Sequence, residues 1–306
     1  MWRRRDFLRS VAALSVSAGW IQAPAVITAP PISRAIPSSG ERIPVIGMGS
    51  WLTFDCAGDA HALTIRVEVL RQFFAHGGAL IDSSPMYGTS QQAIGYCLES
   101  LEQPSDLFAA TKVWTRGRWF GERQMNNSAD LWRIDSFELM QVHNLVDLDT
   151  HLATLREWKA AGRVKYIGAT TSHGGRHDAL ELLMRTGTVD FIQFTYNIID
   201  REVETRLLPL ALERGIAVIV NRPFQRSLLF DRVRAIPLPG WAVEFDCANW
   251  AQFFLKFVIS HRAVTCAIPA TSKVEHMIEN MGALSGPLPD PRMRQRMIEF
   301  YRALPS

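Results

Sequence analysis

Cysteine is scarce in this 306-residue chain. The four present, Cys56, Cys97, Cys247 and Cys266, stand far apart, with no CxxC and no histidine at ligand spacing. That excludes the common zinc and thiol-redox motifs. The expected state is free or buried thiols, with disulfides an option only after export. A charge excess of one sign is also missing. Against 30 acidic residues stand 33 Lys and Arg, a net charge of +3, and part of that surplus lies in the first nine residues. No basic footprint remains for nucleic acid. No apolar run reaches the ~20 residues of a comfortable membrane span. Glycine is missing where an open dinucleotide-binding sheet needs it. Gly47-Met48-Gly49 lacks the third glycine of the phosphate-turn fingerprint. His61, His76, His151, His173, His177, His261 and His276 form no ligand set at strand ends, which argues against a metal-dependent hydrolase.

The N-terminus reads as an address. A basic start precedes an apolar stretch from about 11 to 21 and the small-residue sequence Ala23-Pro24-Ala25. This is the layout of a secretory signal. Arg4-Arg5-Asp6-Phe7-Leu8-Arg9 resembles the twin-arginine export pattern. The expectation is a signal over 1–25 that engages the twin-arginine export machinery and delivers the protein to the bacterial periplasm. No stable membrane span follows processing; an uncleaved signal acting as an anchor is the alternative. Residues 26–42, rich in Pro, Ser and Thr, read as a linker.

From 43 onward short apolar runs alternate with amphipathic ones. Candidate strands start at Val45-Ile46, then Leu80-Ile81, 107–111, 137–142, 164–169, 191–194, 216–220 and 264–268. Leu63, Val67, Leu70 and Phe74 mark one helix face, with Asp59 as its cap and Gly77 as its stop. A second helix starts near Asp149 and stops at Gly162, and a third spans 201–214. Continuous apolar strands alternating with helices imply parallel pairing covered on both faces. Eight such units predict a single-domain α/β fold, a (β/α)₈ TIM barrel over 43–286, with a final helix within 287–306.

Several strands end in an ionisable group: Asp82, Lys112 and His143, at spacings of 30 and 31 residues. In a parallel barrel such ends ring one mouth, and Tyr87 lies on the loop over it. Asp82-Ser83-Ser84-Pro85-Met86-Tyr87-Gly88, Ala110-Thr111-Lys112-Val113 and Val142-His143-Asn144 together resemble the motifs of the aldo-keto reductases. The likeness continues through Gly162-Arg163, Gln193 and Ile268-Pro269 to Glu279-Asn280, covering about 43–284. It implies a nicotinamide-dependent reduction of an aldehyde or ketone, or the reverse. Tyr87 would be the general acid/base, Lys112 would lower its pKa, Asp82 would hold Lys112 charged and aimed, and His143 would hydrogen-bond the carbonyl oxygen.

The resemblance places nicotinamide contacts at Thr170, Thr171, Gln193 and Asn221. Thr171 and Asn221 depart there from the family's Asn and stacking aromatic. Arg222 is a candidate for the pyrophosphate. Thr271, Lys273, His276, Glu279 and Asn280 fall at the adenosine end, and the two basic residues favour NADP(H) over NAD(H). Trp51, Trp114, Trp119, Phe120 and Trp241 are candidates for the substrate pocket, and 225–249 reads as an insertion closing over cofactor or substrate. The departures leave a second reading open, a non-catalytic cofactor-binding or redox-sensing protein on the same fold.

Overall fold

The computed structural model describes residues 30–172 and 174–305. The signal and the first residues of the expected linker lie outside the described residues, as does His173. The rest of that linker is not a linker. Ser33–Ala35 (β1) and Arg42–Pro44 (β2) pair as an antiparallel hairpin that belongs to the same compact unit as the barrel. Ile36 and Ile43 are buried in the barrel's inner core. The Arg34 guanidinium donates to the carbonyls of Ile259, at 2.6 Å, of His261, at 2.7 Å, and of Val264. Polar composition hid this role, because the hairpin buries only two large apolar side chains.

Eight parallel strands follow: Met48–Gly49 (β3), Leu80–Asp82 (β4), Phe108–Val113 (β5), Phe137–His143 (β6), Val164–Thr170 (β7), Phe191–Thr195 (β8), Ala217–Asn221 (β9) and Cys266–Ala267 (β10). They pair in chain order, and parallel bridges Ile46–Ala267 and Gly49–Ala270 bring the last strand against the first. The two glycines of Gly47-Met48-Gly49 serve this closure rather than a phosphate. A Cβ on Gly47 would sit 2.7 Å from the Leu80 carbonyl oxygen, and one on Gly49 2.9 Å from that of Ile268.

The helices are Ala60–Ala75 (α1), Ser90–Ser100 (α2), Arg118–Trp132 (α3), Leu148–Ala160 (α4), His177–Thr186 (α5), Leu207–Arg214 (α6), Leu228–Val233 (α7), Trp250–Ile259 (α8), Val274–Met281 (α9) and Pro291–Ala303 (α10). Asp59 caps α1 as expected, accepting from the Ala62 amide at 2.9 Å. The third helix is shorter than its apolar pattern. Proline is tolerated only in a helix's first turn, so Pro209 delays α6 to Leu207, and Glu202–Glu204 forms a separate 3₁₀ turn. None of the described helices is long and apolar enough to cross a membrane.

Side chains alternate along each strand, so every second residue points into the barrel. Leu80, Phe108, Ala110, Leu139, Tyr166, Phe191, Ala217 and Ile219 form the inner core. Their neighbours, such as Ile81, Ala109, Met140, Ile167 and Val218, pack outward against the helices. Two residues beyond the inner apolar positions come Asp82, Lys112, Gln141, Gln193 and Asn221, the same inward face at the C-terminal end. The barrel therefore turns from apolar at its base to polar at its mouth. At the base, the Tyr166 hydroxyl reaches the hairpin, donating to Glu41 Oε2 at 2.5 Å and hydrogen-bonded to Ser39 Oγ at 2.6 Å.

Candidate active site

Asp82 ends β4 and is almost wholly buried. Its Oδ2 accepts from Lys112 Nζ at 2.5 Å, and its Oδ1 accepts from Nε2 of both Gln141 and Gln193 at 3.0 Å. Inward positions on β5, β6 and β8 thus converge on the one carboxylate that β4 supplies. Lys112 has no solvent exposure and also donates to the Ser83 carbonyl at 2.7 Å. Burial opposes its charge, but Asp82 and the hydrogen-bonded Tyr87 phenol outweigh it, and its pKa lies above the usual lysine value.

Tyr87 stands over this pair. Lys112 Nζ lies 5.1 Å from its ring centroid. The expectation that Lys112 lowers the Tyr87 pKa holds only for that one interaction. Burial of the hydroxyl is the larger effect, Asp82 adds to it, and the net shift is upward despite the cations of Lys112 and Arg222. At neutral pH the phenol therefore keeps its proton. His143 meets the Tyr87 ring edge-on, with centroids 5.8 Å apart and planes at 88°. Burial, helped by Lys112, pushes the imidazole pKa down to about 2, so the ring is neutral. Its Nδ1 is hydrogen-bonded to Ser84 Oγ at 2.8 Å.

Asp82, Tyr87 and His143 line a cavity of about 940 Å³ at the mouth. Thr170, Thr171, Gln193, Asn221, Arg222, Thr271, His276, Glu279 and Asn280 line it as well, so nine of the ten predicted cofactor contacts face one space. Lys273 does not. It is the exposed N-cap of α9, and its amide donates to Thr271 Oγ1 at 3.1 Å.

The Aldo/keto reductase family model matches residues 45–296. The chain belongs to the aldo/keto reductase family. It is 29% identical over 206 residues to the NADH-specific methylglyoxal reductase of Escherichia coli (strain K12), covering 58% of this chain and 62% of that one. It is 25% identical over 214 residues to the aldo-keto reductase YhdN of Bacillus subtilis (strain 168), covering 65% and 64%. The chain thus spans somewhat less than two thirds of these relatives. Among solved structures, an aldo-keto reductase from Klebsiella pneumoniae in complex with NADPH superposes with a TM-score of 0.73 at 21% identity, over 88% of this chain and 95% of that one. The holo form of AKR11C1 from Bacillus halodurans gives 0.72 at 20%, over 89% and 96%. At these identities the superpositions establish the shared fold.

Several of the residues expected at the nicotinamide side are hydrogen-bonded to one another and to the catalytic candidates. Gln193 spends its amide N–H on Asp82, and its Oε1 faces Asn221 Nδ2 at 3.4 Å. Asn221 is tied down by the Thr171 carbonyl at 2.9 Å and by Thr195 Oγ1 at 2.8 Å, so it is a strut between strands. Thr170 Oγ1 accepts from the Asn144 amide at 3.3 Å. Thr171 Oγ1 is buried beside the cavity and has no hydrogen-bond partner among the described residues.

Of the aromatic candidates only Trp51 lines the cavity, under the guanidiniums of Arg226 at 4.4 Å and Arg222 at 5.8 Å from its ring centroid. Trp114, Trp119 and Phe120 are exposed and lie off it; Trp119 and Phe120 pack edge-to-face on each other. Trp241 packs against Phe253 and Phe300, away from the mouth. The 225–249 insertion is divided. Arg226, Ser227, Phe230, Asp231 and Arg234 line the cavity, whereas the 3₁₀ turn Gly240–Phe245 supports α8 and α10.

Three groups escaped sequence reasoning. Gln141 had a signal, a lone amide two residues before His143 on the inward face of an apolar strand. Ser84 and Ser50 had none, since short hydroxyls are ordinary in loops; Ser50 Oγ donates to the Asp82 carbonyl at 3.0 Å. Among the described residues no three His, Cys, Asp or Glu side chains are placed to hold a metal ion.

Asp82→Asn removes the charge that compensates a buried ammonium. Unfolding in urea should show a loss of about 3–5 kcal/mol, the usual cost of orphaning one partner of a buried pair. An unchanged midpoint would mean that Lys112 does not depend on Asp82.

Proposed function

We propose that this protein reduces an aldehyde or ketone to an alcohol with a nicotinamide cofactor bound in the mouth cavity. One observation carries the reading: Tyr87 and His143 meet edge-on at the cavity wall, with the buried Lys112 ammonium 5.1 Å from the Tyr87 ring centroid. The cofactor supplies the hydride to the carbonyl carbon. Tyr87 gives its hydroxyl proton to the carbonyl oxygen, and Lys112 stabilises the phenolate left behind. His143, being neutral, can present an N–H to the same oxygen without carrying a competing charge.

The lining suits such a cofactor. The unpartnered Thr171 hydroxyl matches a carboxamide, and the start of α9 with His276 at the cavity edge suits a phosphate. The presence of His276 and the Arg226 and Arg234 guanidiniums in the lining supports NADPH over NADH. Glu279 in the same wall supports a ribose hydroxyl instead, so the comparison of the two cofactors decides. Methylglyoxal, named for one relative, is a reasonable first substrate. We further propose that the Arg4-Arg5 segment directs export of the folded, cofactor-loaded enzyme to the periplasm.

Tyr87→Phe should lower carbonyl-dependent oxidation of NADPH by several orders of magnitude while tryptophan fluorescence still reports cofactor binding; full activity in that variant removes Tyr87 from the mechanism. Since burial keeps His143 neutral, kcat should show no step near the ordinary histidine value of about 6.5. It should decline only in alkaline solution, as Tyr87 loses its proton. An inflection near neutrality that disappears in His143→Asn would contradict this. Replacing Arg4 and Arg5 together by Lys should retain the protein in the cytoplasm; unimpaired export on cell fractionation would rule out the twin-arginine route.

A further inference from the structure

We propose that Ser84 is a positioning residue that holds His143 in the tautomer with its proton on Nε2, the nitrogen left to face the cavity. The inference rests on the carbonyl-reductase reading only for its kinetic consequence. Ser84 and His143 are both buried, and the Oγ–Nδ1 distance is 2.8 Å. A neutral imidazole has one donor and one acceptor nitrogen, so this hydrogen bond has two possible directions. The surroundings of Oγ choose between them. Ser84 Oγ already accepts from the Met86 amide at 3.4 Å. Among the described residues, Nδ1 of His143 is the acceptor within reach of the Ser84 hydroxyl proton.

If Nδ1 carried the proton, Oγ would accept twice and its own proton would be buried without a partner. That arrangement carries a desolvation cost. The geometry therefore favours Oγ–H donating to Nδ1, which leaves the ring proton on Nε2. Nδ1 being occupied, Nε2 is the polar atom that His143 contributes to the cavity. In this tautomer the ring donates to a carbonyl oxygen beside Tyr87. In the other it would present a lone pair to that oxygen and repel it. The device needs no charge on His143, and its pKa of about 2 keeps none there. Ser84 reaches this place because it follows Asp82 by two residues at the end of β4, while His143 ends β6.

The test is nitrogen-15 NMR on the full-length protein labelled at histidine, reading the tautomer from long-range proton–nitrogen correlations, with His143 assigned by its loss in His143→Asn. Wild type should show the neutral Nε2–H form. Ser84→Ala should show a mixture with the Nδ1–H form, lower kcat by about tenfold, the scale of one neutral hydrogen bond, and leave cofactor affinity unchanged. Ser84→Thr, which keeps the hydroxyl, should recover the tautomer and most of kcat. An Nδ1–H tautomer in wild type overturns the proposal, as does a Ser84→Ala protein whose tautomer is unaltered, whatever its kcat. Wild type that shows the Nε2–H form but reduces no carbonyl would overturn the functional reading and leave the tautomer assignment standing.

Discussion

Asp82 and Lys112 face each other as ions from adjacent strands with almost no contact with water. Desolvating two charges costs several kcal/mol per ion, and their attraction offsets this only when the remaining lone pairs and protons are satisfied. Here Gln141 and Gln193 complete the carboxylate and the Ser83 carbonyl takes a second lysine proton. The arrangement draws one side chain from each of four strands, and the contact from Gln193 on β8 depends on the sheet curving round to face β4. Tyr87 and His143 then take their states from it. Lys112 pulls on the phenol and helps to keep the imidazole neutral, and burial does the rest.

Above this rigid floor the walls are of another kind. Several loop residues at the mouth adopt left-handed backbone conformations without being glycine, among them Asn144, Leu145 and the run 225–227. Such conformations carry a cost and tend to gather at ligand sites. The strands hold the reacting groups in fixed positions, while the strained loop after β9 brings Arg226 over Trp51 and forms one side of the cavity. This division places the candidate proton-transfer groups at strand ends and much of the cavity wall on loops.

Much of this was legible in the residues. Strand–helix alternation and unit spacing place Asp82, Lys112 and His143 at one mouth, because parallel strands put all their C-terminal ends on one side. The motif order around them carries the family. Errors clustered where composition misleads. A Pro/Ser-rich segment became the hairpin that seals the base, held by Arg34 through three carbonyls that lie more than 200 residues away. Trp114 follows a strand on the correct side and Trp119 sits in the first turn of α3, yet both lie off the cavity, since a place beyond a strand end does not specify where a side chain points. Lys273 stands exposed at the N-cap position of α9, off the cavity, a placement that its charge does not reveal.

By itself, the sequence determined the fold class, the family and the groups able to move a proton, because periodicity and residue chemistry are local properties. Tertiary structure alone decided which protons those groups hold. The upward shift of Tyr87, the neutral ring of His143 and the hydrogen bond between Ser84 and His143 all depend on burial and on partners distant in the chain. Protonation states follow from the field of the assembled barrel, which no segment of the chain contains on its own.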